Sequence, residues 1–339
     1  MDVPNLPSGG PSLDGDCPDN APPRSSLLHA DPMILQGDAL HLPLGDETIH
    51  CVVTSPPYWG LRDYGLGPEA IGLEPTPDLY VQHLIDIFRE VRRVLRNDGT
   101  VWLNLGDCYG AGGGAQVVQT KNASHGLEGM RGAKTVAAKQ LVGIPWRVTF
   151  ALQMDGWRLR SDIIWAKRNP MPESVRDRPT RSHEYIFLLT KSERYYYDAP
   201  AISEPRAGQG GAAANFARST KECPIPNQTV VQHRVNRPPT KDTGLRNKRS
   251  VWRYEGDLWT GGTQPYKLAH FATFPEKLVE PCILAGCPLG GIVLDPFVGS
   301  GTVVVVAQRL GRIGIGVDLK LAYCTLARER AYGTASDSS

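Results

Sequence analysis

The sequence predicts an α/β protein built on a mostly parallel sheet with helices on both faces. Three observations carry this. An apolar run, Met33-Ile34-Leu35, ends at Gly37-Asp38; a strand, helix and strand follow between Ile49 and Leu105; and a strand, glycine turn, helix and strand follow between Gly291 and Asp318. At 339 residues and 41% hydrophobic content, the chain can bury a large core and still carry an appended module.

Residues 1–30 are rich in Pro, Gly, Ser and Asp and lack apolar periodicity, which predicts a disordered tail. Ile49-His50-Cys51-Val52-Val53 reads as a buried strand leading into Ser55-Pro56-Pro57-Tyr58. From Leu79 to Arg96, Leu84, Ile85, Phe88, Val91 and Leu95 recur at helical spacing with Arg89, Glu90, Arg92 and Arg93 between them. Asn97-Asp98-Gly99 should stop this helix, and Thr100 to Leu105 should form the next strand, parallel to the first. Residues 110–140, with Gly112-Gly113-Gly114, predict a loop. A helix over Pro145 to Met154 and strands near Leu159 to Trp165 and Tyr185 to Leu189 follow.

Residues 199–265 lose this periodicity and gain charge. Arg206, Arg218, Lys221, Arg234, Arg237, Lys241, Arg246, Lys248, Arg249 and Arg253 face only Glu204, Glu222, Asp242, Glu255 and Asp257, with Trp252, Tyr254 and Trp259 interleaved. Such a segment can neutralise phosphates and reach base edges, which makes it the candidate nucleic-acid surface although the net charge is only +2.

Two loops carry the chemistry. In Asp295-Pro296-Phe297-Val298-Gly299-Ser300-Gly301-Thr302 a strand ends at Asp295, Gly299 and Gly301 form a tight turn, and a helix begins near Thr302 with its N–H groups able to meet a ligand. No Lys follows the second glycine, so a phosphate-binding loop for ATP is disfavoured. Asp318 ends the next strand, where a carboxylate can accept both hydroxyls of a ribose. From this unit alone, nicotinamide cofactors remain open. The second loop, Ser55 to Tyr58, sits at the C-terminal end of a strand, the edge at which such sheets bind ligands. Its prolines lack N–H groups and hold their carbonyls rigid. The Ser55 hydroxyl and the Pro56 carbonyl can pull the hydrogens of an exocyclic ring amine out of the ring plane, while Tyr58 stacks on the base.

Seven scattered cysteines with no CxxC pair, and equally dispersed histidines, predict neither a disulfide framework nor a structural metal. No apolar run reaches the about 20 residues needed to span a bilayer, and there is no signal-peptide pattern, so a cytoplasmic protein is expected. Pro281-Cys282 raises the question of a nucleophilic cysteine. Its position in a helical segment, away from the Ser55 loop, reads instead as a buried cysteine.

Taken together, these motifs resemble the beta-class DNA amino-methyltransferases, in which the amine motif precedes the cofactor motif and the target-recognition region lies between. The resemblance covers residues 33–330 and implies a circularly permuted, Rossmann-like methyltransferase fold with seven strands. It implies S-adenosylmethionine as cofactor, double-stranded DNA as partner, base flipping, and a cognate restriction endonuclease as a further candidate partner. By motif, Asp295, Phe297, Gly299, Ser300, Gly301 and Thr302 match the cofactor loop, Asp318 the ribose-binding acid, and Asp38 the acidic turn at the adenine. His270 to Pro275, with Phe274, resembles the methionine-pocket motif, and Trp165 to Pro172 the segment flanking the extruded base. The implied division is a tail over 1–30, a catalytic half over 31–198, target recognition over 199–265 and a cofactor half over 266–333. Ser-Pro-Pro-Tyr is more usual in N4-cytosine enzymes and Asp-Pro-Pro-Tyr in N6-adenine enzymes, so N4 of cytosine is the expected target and N6 of adenine the alternative. Protein-glutamine or RNA methylation is a second alternative, disfavoured by the motif order.

Overall fold

The structure, a computed structural model, describes residues 31–333 except 62, 64, 68, 69, 111–135, 168, 169, 171, 207–243 and 255–274. The tail over 1–30 and most of the expected loop over 110–140 lie outside the described residues.

The strands are β1 (Met33–Gln36), β2 (Ile49–Thr54), β3 (Leu95–Leu105), β4 (Arg158–Lys167), β5 (His183–Thr190), β6 (Glu204–Pro205), β7 (Leu245–Arg246), β8 (Val251–Tyr254), β9 (Ile292–Asp295) and β10 (Ile313–Asp318). The helices are α1 (Pro77–Val94), α2 (Ile144–Met154), α3 (Glu276–Gly286), α4 (Thr302–Arg309) and α5 (Leu321–Gly333). The main sheet runs β1-β10-β9-β2-β3-β5-β4-β8, with only β5 antiparallel to its neighbours. Seven strands make up the expected methyltransferase sheet. The eighth, β8, is an addition from the basic 199–265 region, pairing parallel to the outer edge of β4 from Ile164↔Val251 to Lys167↔Tyr254.

That addition carries one of the region's aromatics into the core. Trp252 is buried, packs 6.2 Å from the Trp102 ring and belongs to the core on one face of the sheet. β6 and β7 form a separate two-stranded ribbon, in which Glu204 accepts from Arg246 at 2.9 Å and Arg249 at 2.6 Å. Two of the expected phosphate-neutralising arginines are therefore tied to a carboxylate within the fold. Trp165, on β4, is buried in the same core.

α1 begins at Pro77 because Thr76 caps it, its side chain accepting from the Leu79 N–H, and proline is tolerated at the first helical position. It ends at Val94, two residues before the expected Arg96, because Leu95 is already extended. Asn97-Asp98-Gly99 then forms an irregularity inside β3, whose register against β2 jumps from Ile49↔Leu95 to Cys51↔Thr100. α1 buries Tyr80, Leu84, Ile87, Phe88 and Val91, while α4 buries the run Val303 to Val306 despite weak helical propensity for valine. Burial from both sides outweighs that preference. No helix among the described residues is long and apolar enough to cross a membrane.

Candidate active site

Sheet order assembles the site. Four neighbouring parallel strands, β1, β10, β9 and β2, end at one edge, and at or just past their ends stand Asp38, Asp318, Asp295 and Ser55 in that spatial order. The edge is laced together: the Gly37 N–H donates to the Asp318 carbonyl at 3.0 Å, and the Val298 N–H to that of Val317 at 2.9 Å.

In the cofactor loop, Gly301 is the N-cap of α4 with φ 84°, a left-handed conformation glycine adopts without strain. The buried Asp295 accepts from the Thr54 hydroxyl at 2.7 Å and from the Phe297 N–H at 3.1 Å. Burial pushes its carboxyl up to about 7, against the pull of those two bonds, and the neighbouring Asp318 adds to the rise. Asp318 accepts from the Gly299 N–H at 3.1 Å and the Lys320 N–H at 2.9 Å, one on each oxygen. Burial raises its carboxyl too. A carboxylate has about four acceptor positions, so hydroxyls can still be received there. Asp38 is exposed and accepts from the Leu40 N–H at 2.9 Å. Phe297 packs against the core beneath the loop, and the Ser300 hydroxyl lies 3.4 Å from that of Thr302. Phe274 and the rest of the motif from His270 to Thr273 lie outside the described residues.

This donor set suits a cationic nucleoside. It offers carboxylates for hydroxyls, a buried acid that a positive charge would ionise, and N–H groups at a helix start. One member has no motif signature: Arg330 on α5 donates to the Ser300 carbonyl at 2.7 Å and hydroxyl at 2.8 Å, clamping the loop from behind.

In the amine loop, the Tyr80 hydroxyl on α1 donates to the Pro57 carbonyl at 2.9 Å. Glu74 closes the far side, its carbonyl accepting from the Trp59 indole at 2.8 Å and its side chain from the Gly72 N–H at 2.9 Å. The Tyr58 ring lies so close to Gly106 that a Cβ there would come within 2.4 Å of it. The Tyr58 hydroxyl donates to Glu184 at 2.8 Å. Burial, then the Glu184 carboxylate, hold that hydroxyl well above its usual range, so it stays a donor. Asn104 meets Ser55, Tyr58 and Glu184 at once, and Lys167 pairs with the other oxygen of Glu184. Asn104 and Glu184 gave no sequence signal, because they come from strands that only the sheet order brings to one edge with Lys167, which lies in the segment from Trp165 to Pro172.

Cys282 is buried in α3, as its position suggested. Burial raises its thiol far above the usual range, which suits packing and not nucleophilic attack.

Residues 49–329 match the model of the N6/N4 DNA methylase family. The chain belongs to that family. It is 45% identical over 332 residues to the type II methyltransferase M.XycI of Xanthomonas campestris pv. cyanopsidis, covering 94% of this chain and 96% of the relative. It is also 45% identical over 307 residues to M.SmaI of Serratia marcescens, covering 88% and 89%. Among solved structures, the PvuII DNA methyltransferase, described as cytosine-N4-specific, superposes with TM-score 0.58 at 18% identity over 89% of this chain and 86% of that one. A putative DNA modification methylase of Thermus thermophilus, solved with S-adenosyl-L-methionine, does so with TM-score 0.53 at 22% identity over 89% and 93%. These two likenesses show the fold, and the relatives make the chain a type II DNA methyltransferase.

Proposed function

We propose that this DNA methyltransferase transfers a methyl group from S-adenosylmethionine to the exocyclic N4 amine of cytosine in duplex DNA. One observation carries the reading: Asp38, Asp318, Asp295 and Ser55 stand in sequence along one sheet edge, so a nucleoside cofactor laid along it presents its far end to the Ser55-Pro56 acceptors. Asp38 would meet the adenine and Asp318 the ribose hydroxyls. The loop from Asp295 through Phe297, Gly299, Ser300, Gly301 and Thr302 would cradle the methionine end, with Phe274 as a further contact. When bound, S-adenosylmethionine supplies an electrophilic methyl group on a sulfonium.

The protein's part is to prepare the acceptor amine. Delocalisation into the ring makes that amine a poor nucleophile. The Ser55 hydroxyl and Pro56 carbonyl draw its hydrogens out of the ring plane and expose the lone pair, while the rigid Pro57 carbonyl, held by Tyr80, keeps the loop in place. The partly exposed ring of Tyr58 offers a surface for the flipped base. The cationic product loses its proton readily, so no strong base is required.

Ser55, a hydroxyl where N6-adenine members usually carry a carboxylate, favours cytosine over adenine. Basic residues in 199–265 read the target, and a cognate restriction endonuclease fits the type II relatives. Separate incubations of labelled cofactor with DNA, RNA and protein test the acceptor class. Label in DNA alone is expected, and label in RNA or protein alone would refute it.

A further inference from the structure

A serine hydroxyl can donate or accept, whereas an amine whose hydrogens must be drawn aside needs acceptors. The group behind Ser55 decides which it does. The Asn104 side-chain nitrogen carries two hydrogens, and two acceptors meet them: the Glu184 carboxylate at 3.3 Å and the Tyr185 carbonyl at 3.0 Å. The reverse amide orientation would set the Asn104 oxygen against both of those oxygens, so only one orientation satisfies the network. In it, the Asn104 oxygen faces the hydroxyls of Ser55 at 3.3 Å and Tyr58 at 3.0 Å.

The Tyr58 proton has a stronger acceptor in the Glu184 carboxylate, which Lys167 holds from its other oxygen. The single proton of Ser55 therefore points into the cluster, at the Asn104 oxygen or at the Tyr58 oxygen 3.4 Å away. Its lone pairs are left for an incoming donor.

We propose that Asn104, oriented by Glu184 and Tyr185, commits the Ser55 hydroxyl to accepting and is a positioning residue for methyl transfer. The inference rests on the reading that Ser55 grips the amine. Asn104 takes up no proton, and its amide acts only by fixing where the Ser55 proton points.

The test is single-turnover transfer of labelled methyl to unmethylated genomic duplex DNA by Asn104→Ala, Ser55→Ala and the double variant, with cofactor affinity measured alongside. Asn104→Ala should slow transfer about 100-fold in the wild-type background with cofactor affinity within about twofold. In the Ser55→Ala background it should cost less than about threefold, because its effect passes through Ser55. Equal losses in both backgrounds, or no loss in the first, would overturn the proposal. Full activity of Ser55→Ala would instead remove the grip reading beneath it.

Asn104→Asp gives a second readout if the alanine variant loses cofactor binding. Its new oxygen would face Glu184, so the two carboxyls must share a proton, and the rate should fall with rising pH where the wild type shows no such limb. A wild-type pH profile in that variant would also overturn the proposal.

Discussion

The Thr54 hydroxyl donates to the Asp295 carboxylate across 2.7 Å in the buried centre of the sheet, tying the strand of the amine loop to the strand of the cofactor loop. The two loops thus share one anchor. Thr54→Val keeps the shape and removes the donor, leaving Asp295 with only the Phe297 N–H of its present pair. A loss of about 1–3 kcal/mol in denaturant unfolding is expected, together with weaker cofactor binding. Unchanged values for both would contradict this role.

Asp295 also sets a pH dependence. Its carboxyl lies at about 7 in the fold, raised from the ordinary 3.8, so between these values the folded state holds a proton that the unfolded chain has released. Stability from this group is fully present below the ordinary value of 3.8 and declines as pH rises toward about 7. A cationic cofactor favours the ionised form, so its binding should release a proton below about pH 7 and strengthen as pH rises through that window. Calorimetry in buffers of different ionisation enthalpy measures the release, and Asp295→Asn should abolish it.

Arg330→Met should loosen the Ser300 turn that the guanidinium holds by two bonds. About tenfold weaker cofactor binding is expected, equivalent to about 1.4 kcal/mol, with DNA affinity retained. Loss of DNA affinity with cofactor binding intact would assign Arg330 elsewhere.

Trp252→Ala separates packing from recognition. Trp252 is buried against Trp102, and its indole donates to the Arg249 carbonyl at 2.7 Å. The substitution should cost about 3–5 kcal/mol of stability, seen as a lowered unfolding midpoint. If stability held while DNA affinity fell, Trp252 would belong to the target surface after all.

These outcomes mark where the sequence was legible. The strand–helix–strand units were readable because apolar periodicity is local, and so were the loops at their ends, because Gly301, Pro56 and Pro57 leave a backbone signature in consecutive residues. Asn104, Glu184 and Arg330 were not readable, since the loop residues they serve are distant in the chain. Tyr58 lies 46 residues from Asn104 and 126 from Glu184, and Ser300 lies 30 from Arg330. The place of Trp252 was not readable for a related reason: only strand pairing shows that β8 extends the sheet and carries this side chain into the core.

In the proposed mechanism a hydroxyl-and-carbonyl grip at Ser55-Pro56 prepares the N4 amine of cytosine. The most direct measurement is mass spectrometry of nucleosides from DNA methylated by the wild-type protein and by Ser55→Ala. N4-methyldeoxycytidine is expected with the wild type, and about 100-fold slower formation with Ser55→Ala. N6-methyldeoxyadenosine as the sole product would contradict it.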